Sequence, residues 1–259
     1  MGLKRFAVLL LVAACSSGGD DDGDDQINMK TDRDGGVVAP AELSDEFDDA
    51  SSLDDWTLFH TVQGVGARHS TLDIDTTTPG ALTIAPTANN GWFEDDKGPF
   101  IFKSVTGNFA AYTKVVAGRA GDASQAPSQQ FNSAGLLARD PASREGGNED
   151  WLMYNVGFQD GRVGSEGKTT VDSGSTLFIV DGDFRAELVL CRVGDAFVMY
   201  RKNEGASSFE ETNRFDRGDL PETLQVGLIG NGYGPTPDLV ATFEYVRFSV
   251  PSSEAGCLP

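Results

Sequence analysis

The chain has 259 residues, 39% of them hydrophobic, with 40 acidic and 20 basic side chains and a formal net charge of −20. That charge excludes nucleic acid as a partner, because binding phosphates needs a positive surface, and it favours neutral ligands or cations over anionic ones.

The first five residues, Met1-Gly2-Leu3-Lys4-Arg5, are short and basic, and an apolar run from Phe6 to Ala14 follows them directly. This is the anatomy of a signal peptide over residues 1–14. The run is far shorter than the roughly 20 residues a membrane-spanning helix needs. Val12-Ala13-Ala14-Cys15 resembles the lipobox of bacterial lipoproteins, in which the cysteine is acylated and becomes the new N-terminus. The resemblance implies a palmitate-bearing Cys15 held in a lipid bilayer, with several acyl chains giving a firm anchor. Ser16 and Ser17 follow with no Asp after the cysteine, which by analogy with lipoprotein sorting favours the outer membrane. Loss of Lys4 and Arg5 would leave 18 basic against 40 acidic residues, a mature net charge of −22.

Residues 15–41 hold Gly18-Gly19-Asp20-Asp21-Asp22-Gly23-Asp24-Asp25 and very little that is apolar, so they read as a disordered, self-repelling linker. Residues 42–250 are expected to form one domain, followed by a tail over 251–259. Short runs rich in β-branched and aromatic residues recur between Gly, Asp, Asn and Pro, an all-β signature. The predicted strands cover 56–60, 70–74, 81–85, 100–105, 109–117, 134–139, 151–158, 177–180, 184–193, 197–202, 224–229 and 240–249. Gly194-Asp195 is the turn of the clearest hairpin. In the last strand Phe243 falls out of phase with Val246 and Phe248, a step that a β-bulge at Glu244-Tyr245 would absorb.

Several ordered segments are similar to concanavalin A-like sandwiches, including those found as accessory domains of glycoside hydrolases. They are Asp45-Glu46-Phe47 with Leu53-Asp54-Asp55-Trp56, Gly98-Pro99-Phe100-Ile101-Phe102, Gly107-Asn108-Phe109 and Ser133 to Arg139 with Trp151-Leu152-Met153-Tyr154. The hairpin and the closing Ala241 to Phe248 complete the set. The resemblance implies a two-sheet antiparallel jelly roll, one sheet convex and one concave, with the concave face commonly used for sugars. Leu53 and Trp56 would plug one end, and Phe109, Ala111, Thr113 and Val115 would line one sheet face.

Laminarinase-like relatives of this fold cleave β-glucans with Glu-x-Asp followed closely by a second Glu on one strand. Neither Glu46-Phe47-Asp48 nor Glu94-Asp95-Asp96 is followed by that second Glu. The expected retaining pair is therefore not visible. His60 and His69 have no partners at zinc spacing, and no Gly-x-Ser-x-Gly elbow occurs. Cys191 reads as structural. An exported chain sits where disulfides persist, so Cys191 and Cys257 are expected to pair, the alternative being a buried free Cys191 and a frayed tail.

Three functions remain. The first is a non-catalytic carbohydrate-binding module on a surface-anchored lipoprotein; the others are a hydrolase with an unrecognised acid pair, and a protein-binding or adhesion lipoprotein. For the first, Trp92, Phe93, Trp151 and Tyr233 are candidate aromatic surfaces for a neutral glycan, with Glu94 and Asp96 as carboxylates beside them. Core packing is the competing role for Trp151, Trp92 and Tyr233. The laminarinase resemblance also implies a structural Ca²⁺ held partly by Glu244, against the plainer reading of a solvated Glu at a bulge.

Overall fold

The computed structural model describes residues 40–143 and 148–259, all within the unit Val37–Pro259. The expected signal peptide, Cys15 and the linker up to residue 39 lie outside the described residues. The strands in chain order are β1 (Thr57–Leu58), β2 (His69–Ile74), β3 (Leu82–Pro86), β4 (Phe100–Thr106), β5 (Phe109–Arg119), β6 (Asn132–Arg139) and β7 (Trp151–Gln159). They continue with β8 (Arg162–Val171), β9 (Gly174–Asp181), β10 (Arg185–Val193), β11 (Ala196–Asn203), β12 (Glu210–Asp216), β13 (Thr223–Gly232) and β14 (Leu239–Ser249). One short helix, α1 (Phe59–Gln63), follows β1.

The strands form two antiparallel seven-stranded sheets, as the sequence leads one to expect. The first runs β1-β4-β13-β6-β7-β8-β9 and the second β12-β11-β10-β5-β14-β3-β2. Alternation decides which face of each strand is inside. Along β5, Phe109, Ala111, Thr113, Val115 and Ala117 point between the sheets and are fully buried, while Tyr112, Lys114 and Val116 point outward. Leu136, Ala138, Leu152, Tyr154, Leu188, Leu190, Val226 and Leu228 meet them from other strands.

Trp56 is buried in the core between the sheets, and Leu53 packs against that core. Trp56 packs 6.1 Å from Phe47, and its Nε1 donates to Asp45 Oδ2 at 2.8 Å. The β10–β11 hairpin turns at Gly194-Asp195, with Gly194 at φ 59° in the left-handed region glycine tolerates. The pairing of β14 with β5 slips between Phe243 and Tyr245, so the bulge falls on Glu244. Cys191 and Cys257, 66 residues apart, form the expected disulfide and hold the tail against the outer face of the second sheet beside Ala110 and Val189.

Two strands, β8 and β12, were not anticipated. β8 reads Arg-Val-Gly-Ser-Glu-Gly-Lys-Thr-Thr-Val and lacks apolar alternation, yet most of it is buried. Its outward residues are Glu166, Lys168 and Thr170, all hidden from solvent.

Candidate functional site

The outer face of the first sheet is the unusual part of the molecule. An antiparallel sheet can leave one face to water. Here α1 and the loop between β3 and β4 lie over that face, and a second apolar cluster forms from Phe59, Trp92, Phe100, Phe102, Leu137, Trp151, Met153 and Ile229. Trp92 is its centre, with ring centroids 5.5 Å from Phe59, 5.7 Å from Phe100 and 5.9 Å from Trp151.

Trp92 and Trp151 are therefore walls of this cluster and offer no open ring for stacking, with 1% and 0% of their surfaces exposed. Their burial decides for core packing, the role that competed with ligand contact for both, and against their use as open stacking rings. The reason for Trp92 is local. Its loop is polar, but a Cβ on Gly91 would come within 2.8 Å of Asn231 Oδ1, and one on Gly98 within 2.6 Å of Gly230 O. These glycines let the loop settle on the sheet, where the Trp92 amide donates to Asn231 Oδ1 at 2.6 Å.

Buried charges fasten the same cover. Arg139 makes a two-pronged contact with Glu149, Nε to Oε2 and Nη2 to Oε1 both at 2.8 Å, and Nη1 donates to Gln225 Oε1 at 2.9 Å. Lys97, from the covering loop, lies 3.1 Å from Glu149 Oε1. All three charged groups are buried.

Where the loop meets β8, β9 and β13, a pocket of about 220 Å³ opens, lined by Gly91, Trp92, Phe93, Asp96, Phe131, Lys168, Leu177, Asn231 and Tyr233. Phe93 and Tyr233 expose 39% and 53% of their surfaces, so these two rings, unlike the tryptophans, are available for stacking. Tyr233 stands perpendicular to Phe131 at 6.1 Å. Lys168 Nζ donates to Trp92 O at 2.9 Å and lies 5.5 Å from the Phe93 ring centroid. Phe93 and Asp96 bond through their backbones, with the Asp96 amide donating to Phe93 O at 2.8 Å. Glu94 is exposed at φ 52°, its amide donating to Ser175 Oγ at 2.8 Å, and it does not line the cavity. Of the expected site residues, the fold thus assembles Phe93, Asp96 and Tyr233, with Trp92 as wall, and leaves Trp151 and Glu94 outside.

Phe131, Lys168 and Leu177 belong to this pocket without having been foreseen, while Asn231 comes from the stretch Asn231-Gly232-Tyr233-Gly234 whose mix of amide and aromatic marks it in the sequence. Asn231 is 139 residues from its partner Trp92, and no short-range pattern links them.

A second hollow, about 320 Å³, lies on the outer face of the second sheet. Its charges are already matched: Lys202 with Glu187 at 2.8 Å and Lys114 with Glu244 at 2.7 Å. Tyr112 is pushed well above the ordinary tyrosine range, first by burial and then by its hydrogen bond to Glu187. Glu244, expected as a calcium ligand, is half exposed with its carboxylate held by Lys114. The bulge does re-aim it, but toward an ammonium. Among the described residues no group of three or more His, Cys, Asp or Glu side chains could hold a metal ion.

No family model and no curated protein matches this chain. Solved structures do. A functionally unknown protein from Saccharomyces cerevisiae superposes with a TM-score of 0.57 at 15% identity, covering 77% of this chain and 98% of that one. The GH43 BlXynB protein from Bacillus licheniformis gives 0.61 at 16% identity, over 83% of this chain and 40% of that one. The exoplasmic/lumenal domain of VIP36, in its Ca²⁺/Man-bound form, gives 0.51 at 13% identity, over 77% and 84%. The chain has a lectin-type β-sandwich fold. At these identities the likeness is one of fold alone, and the chain spans about 40% of the length of the GH43 protein.

Proposed function

We propose that this chain is a non-catalytic carbohydrate-binding protein, anchored through an acylated Cys15 at the bacterial outer membrane, with its neutral glycan held in the pocket between Phe93 and Tyr233. The observation that carries this reading is the pairing of two exposed rings with polar groups, Asp96, Lys168 and Asn231, around one cavity. Sugars offer patches of C–H to aromatic faces and hydroxyls to carboxylates and amides. Exposed rings on Gly-containing loops beside such groups suit that chemistry. The strong negative charge supports a neutral ligand, and the lectin-type fold supports a sugar. The lipid anchor and its location rest on the resemblance of residues 12–15 to a lipobox.

The test is a glycan panel read with the wild type and with Tyr233→Ala and Phe93→Ala. Loss of one stacking ring is expected to weaken a glycan hit by about 1–3 kcal/mol, by analogy with aromatic stacking on bases, with melting temperature nearly unchanged. Unaltered affinity in both folded variants would remove the pocket from consideration. Anchoring is tested by globomycin treatment and Cys15→Ser, each of which should abolish acyl labelling of the protein.

A further inference from the structure

Beneath the pocket the first sheet has a floor almost bare of side chains. In the register of β6, β7 and β8, Gly135, Asn155 and Glu166 stand side by side, and the next row is Ser133, Gly157 and Gly164. The glycines are obligatory, since a Cβ on Gly135 would lie 2.1 Å from Tyr154 O and one on Gly164 2.2 Å from Val180 O. Of six neighbouring positions, only Asn155, Glu166 and Ser133 carry side chains, and all three are polar and fully buried. Lys168 follows Glu166 on the same face of β8, and Asn231 pairs with Ser133 across β13. Both line the pocket, so this patch lies under it.

Part of the hydrogen-bonding capacity of this floor is unspent, although Ser133 Oγ accepts from Asn231 Nδ2 at 3.3 Å. Glu166 Oε2 and both polar atoms of the Asn155 amide lack a hydrogen-bond partner among the described residues. Lys168 Nζ lies 2.8 Å from Glu166 Oε1 as an ion pair. Buried polar groups are ordinarily matched, and a carboxylate and an amide left open side by side under an aromatic-walled cavity ask for a partner.

Resting on the sugar-binding reading, we propose that Asn155 and Glu166 are specificity-determining residues and select a neutral sugar presenting two adjacent free hydroxyls. A carboxylate only accepts, an ammonium only donates, and an amide does both. Two neighbouring hydroxyls, each able to donate and accept, complement that set. A cation is not the match, because the Lys168 ammonium already stands beside the carboxylate. An acidic sugar is opposed by Glu166 and Asp96, and alkylated hydroxyls lack the donors that Glu166 needs. The hydroxyls reach the floor when the Phe93 ring, which rests against Lys168, swings aside and leaves the ammonium on Glu166.

The experiment is titration calorimetry of the whole protein with xylotetraose, mannotetraose and cellotetraose, and with the O-methylated form of whichever binds. Asn155→Leu and Glu166→Gln should each bind about tenfold more weakly than wild type, Asn155→Leu at the wild-type melting temperature and Glu166→Gln at a lower one because Lys168 loses its buried anion, and O-methylation should weaken wild-type binding at least as much. Wild-type affinity in both variants, with binding lost in Tyr233→Ala, overturns the floor and leaves the sugar reading standing. Absence of wild-type binding to all three tetrasaccharides overturns both. Should Asn155→Leu fail to fold, Glu166→Gln decides; should both fail, the methylation comparison on the wild type decides.

Discussion

The outer faces of the two sheets pose the same problem and meet it differently. On the first, α1 and the loop between β3 and β4 lie over the strands, held by the Trp92 cluster and the buried Arg139–Glu149–Lys97 group. On the second, the tail is fixed by one covalent bond, Cys191–Cys257, and the charges around it pair at the surface. The noncovalent cover leaves an aromatic-walled cavity with open polar groups under it, whereas the charges of the hollow on the other face satisfy one another. A face closed mainly by side-chain packing can therefore keep a cavity that ion pairing would fill.

The comparison is broken most sharply at Glu149. Glu149→Ala leaves Arg139 and Lys97 buried without their anion and should cost about 3–5 kcal/mol in urea unfolding. Cys257→Ser should cost about 2–4 kcal/mol in the same measurement, and glycan affinity should not change because the tail and pocket occupy opposite faces. A smaller effect is expected at His69, which faces His60 with ring centroids 5.0 Å apart. Burial, and then the nearby His60, hold His69 below its ordinary 6.5, so the unfolded chain binds this proton more tightly than the folded one. The stabilisation is complete above pH 6.5 and is lost as pH falls through the lower folded value. His69→Gln should flatten that part of the stability–pH curve. The smallest change is expected from Lys114→Ala, below about 1 kcal/mol for an exposed pair; EDTA decides the calcium expectation at Glu244, an unchanged melting temperature removing it and a clear drop supporting it.

Where the fold follows from apolar alternation it was legible in the sequence. β5, the β10–β11 hairpin and the bulge at Glu244 all followed from that pattern, and the disulfide followed from counting the cysteines left after Cys15 is set aside as the expected acylation site. β8 escaped because its outward residues are buried by ion pairing and close packing, with Glu166 and Lys168 where an apolar pair would have announced a strand. The site was half legible. Phe93, Asp96 and Tyr233 sit in loops whose composition marks them, but Trp92 looked equally exposed until the approach of Gly91 and Gly98 to the sheet placed it inside. Lys168 and Leu177 are ordinary strand residues in sequence, and only cross-strand register brings them together at the cavity.

The strand order has a consequence for how the molecule is made. β13 lies between β4 and β6, and β14 between β5 and β3, so the two strands latest in the sequence sit near the centre of the sheets. A chain emerging N-terminus first can build β6 through β9 and the β10–β11 hairpin by local pairing, yet neither sheet can join its two halves until residues 223–249 arrive. Until then each half presents an unpaired edge to its surroundings, the state in which a sheet most readily accepts a foreign strand. Maturation is thus limited by long-range closure, and a chaperone that shields those edges would raise the yield of native protein more than one that assists any single hairpin.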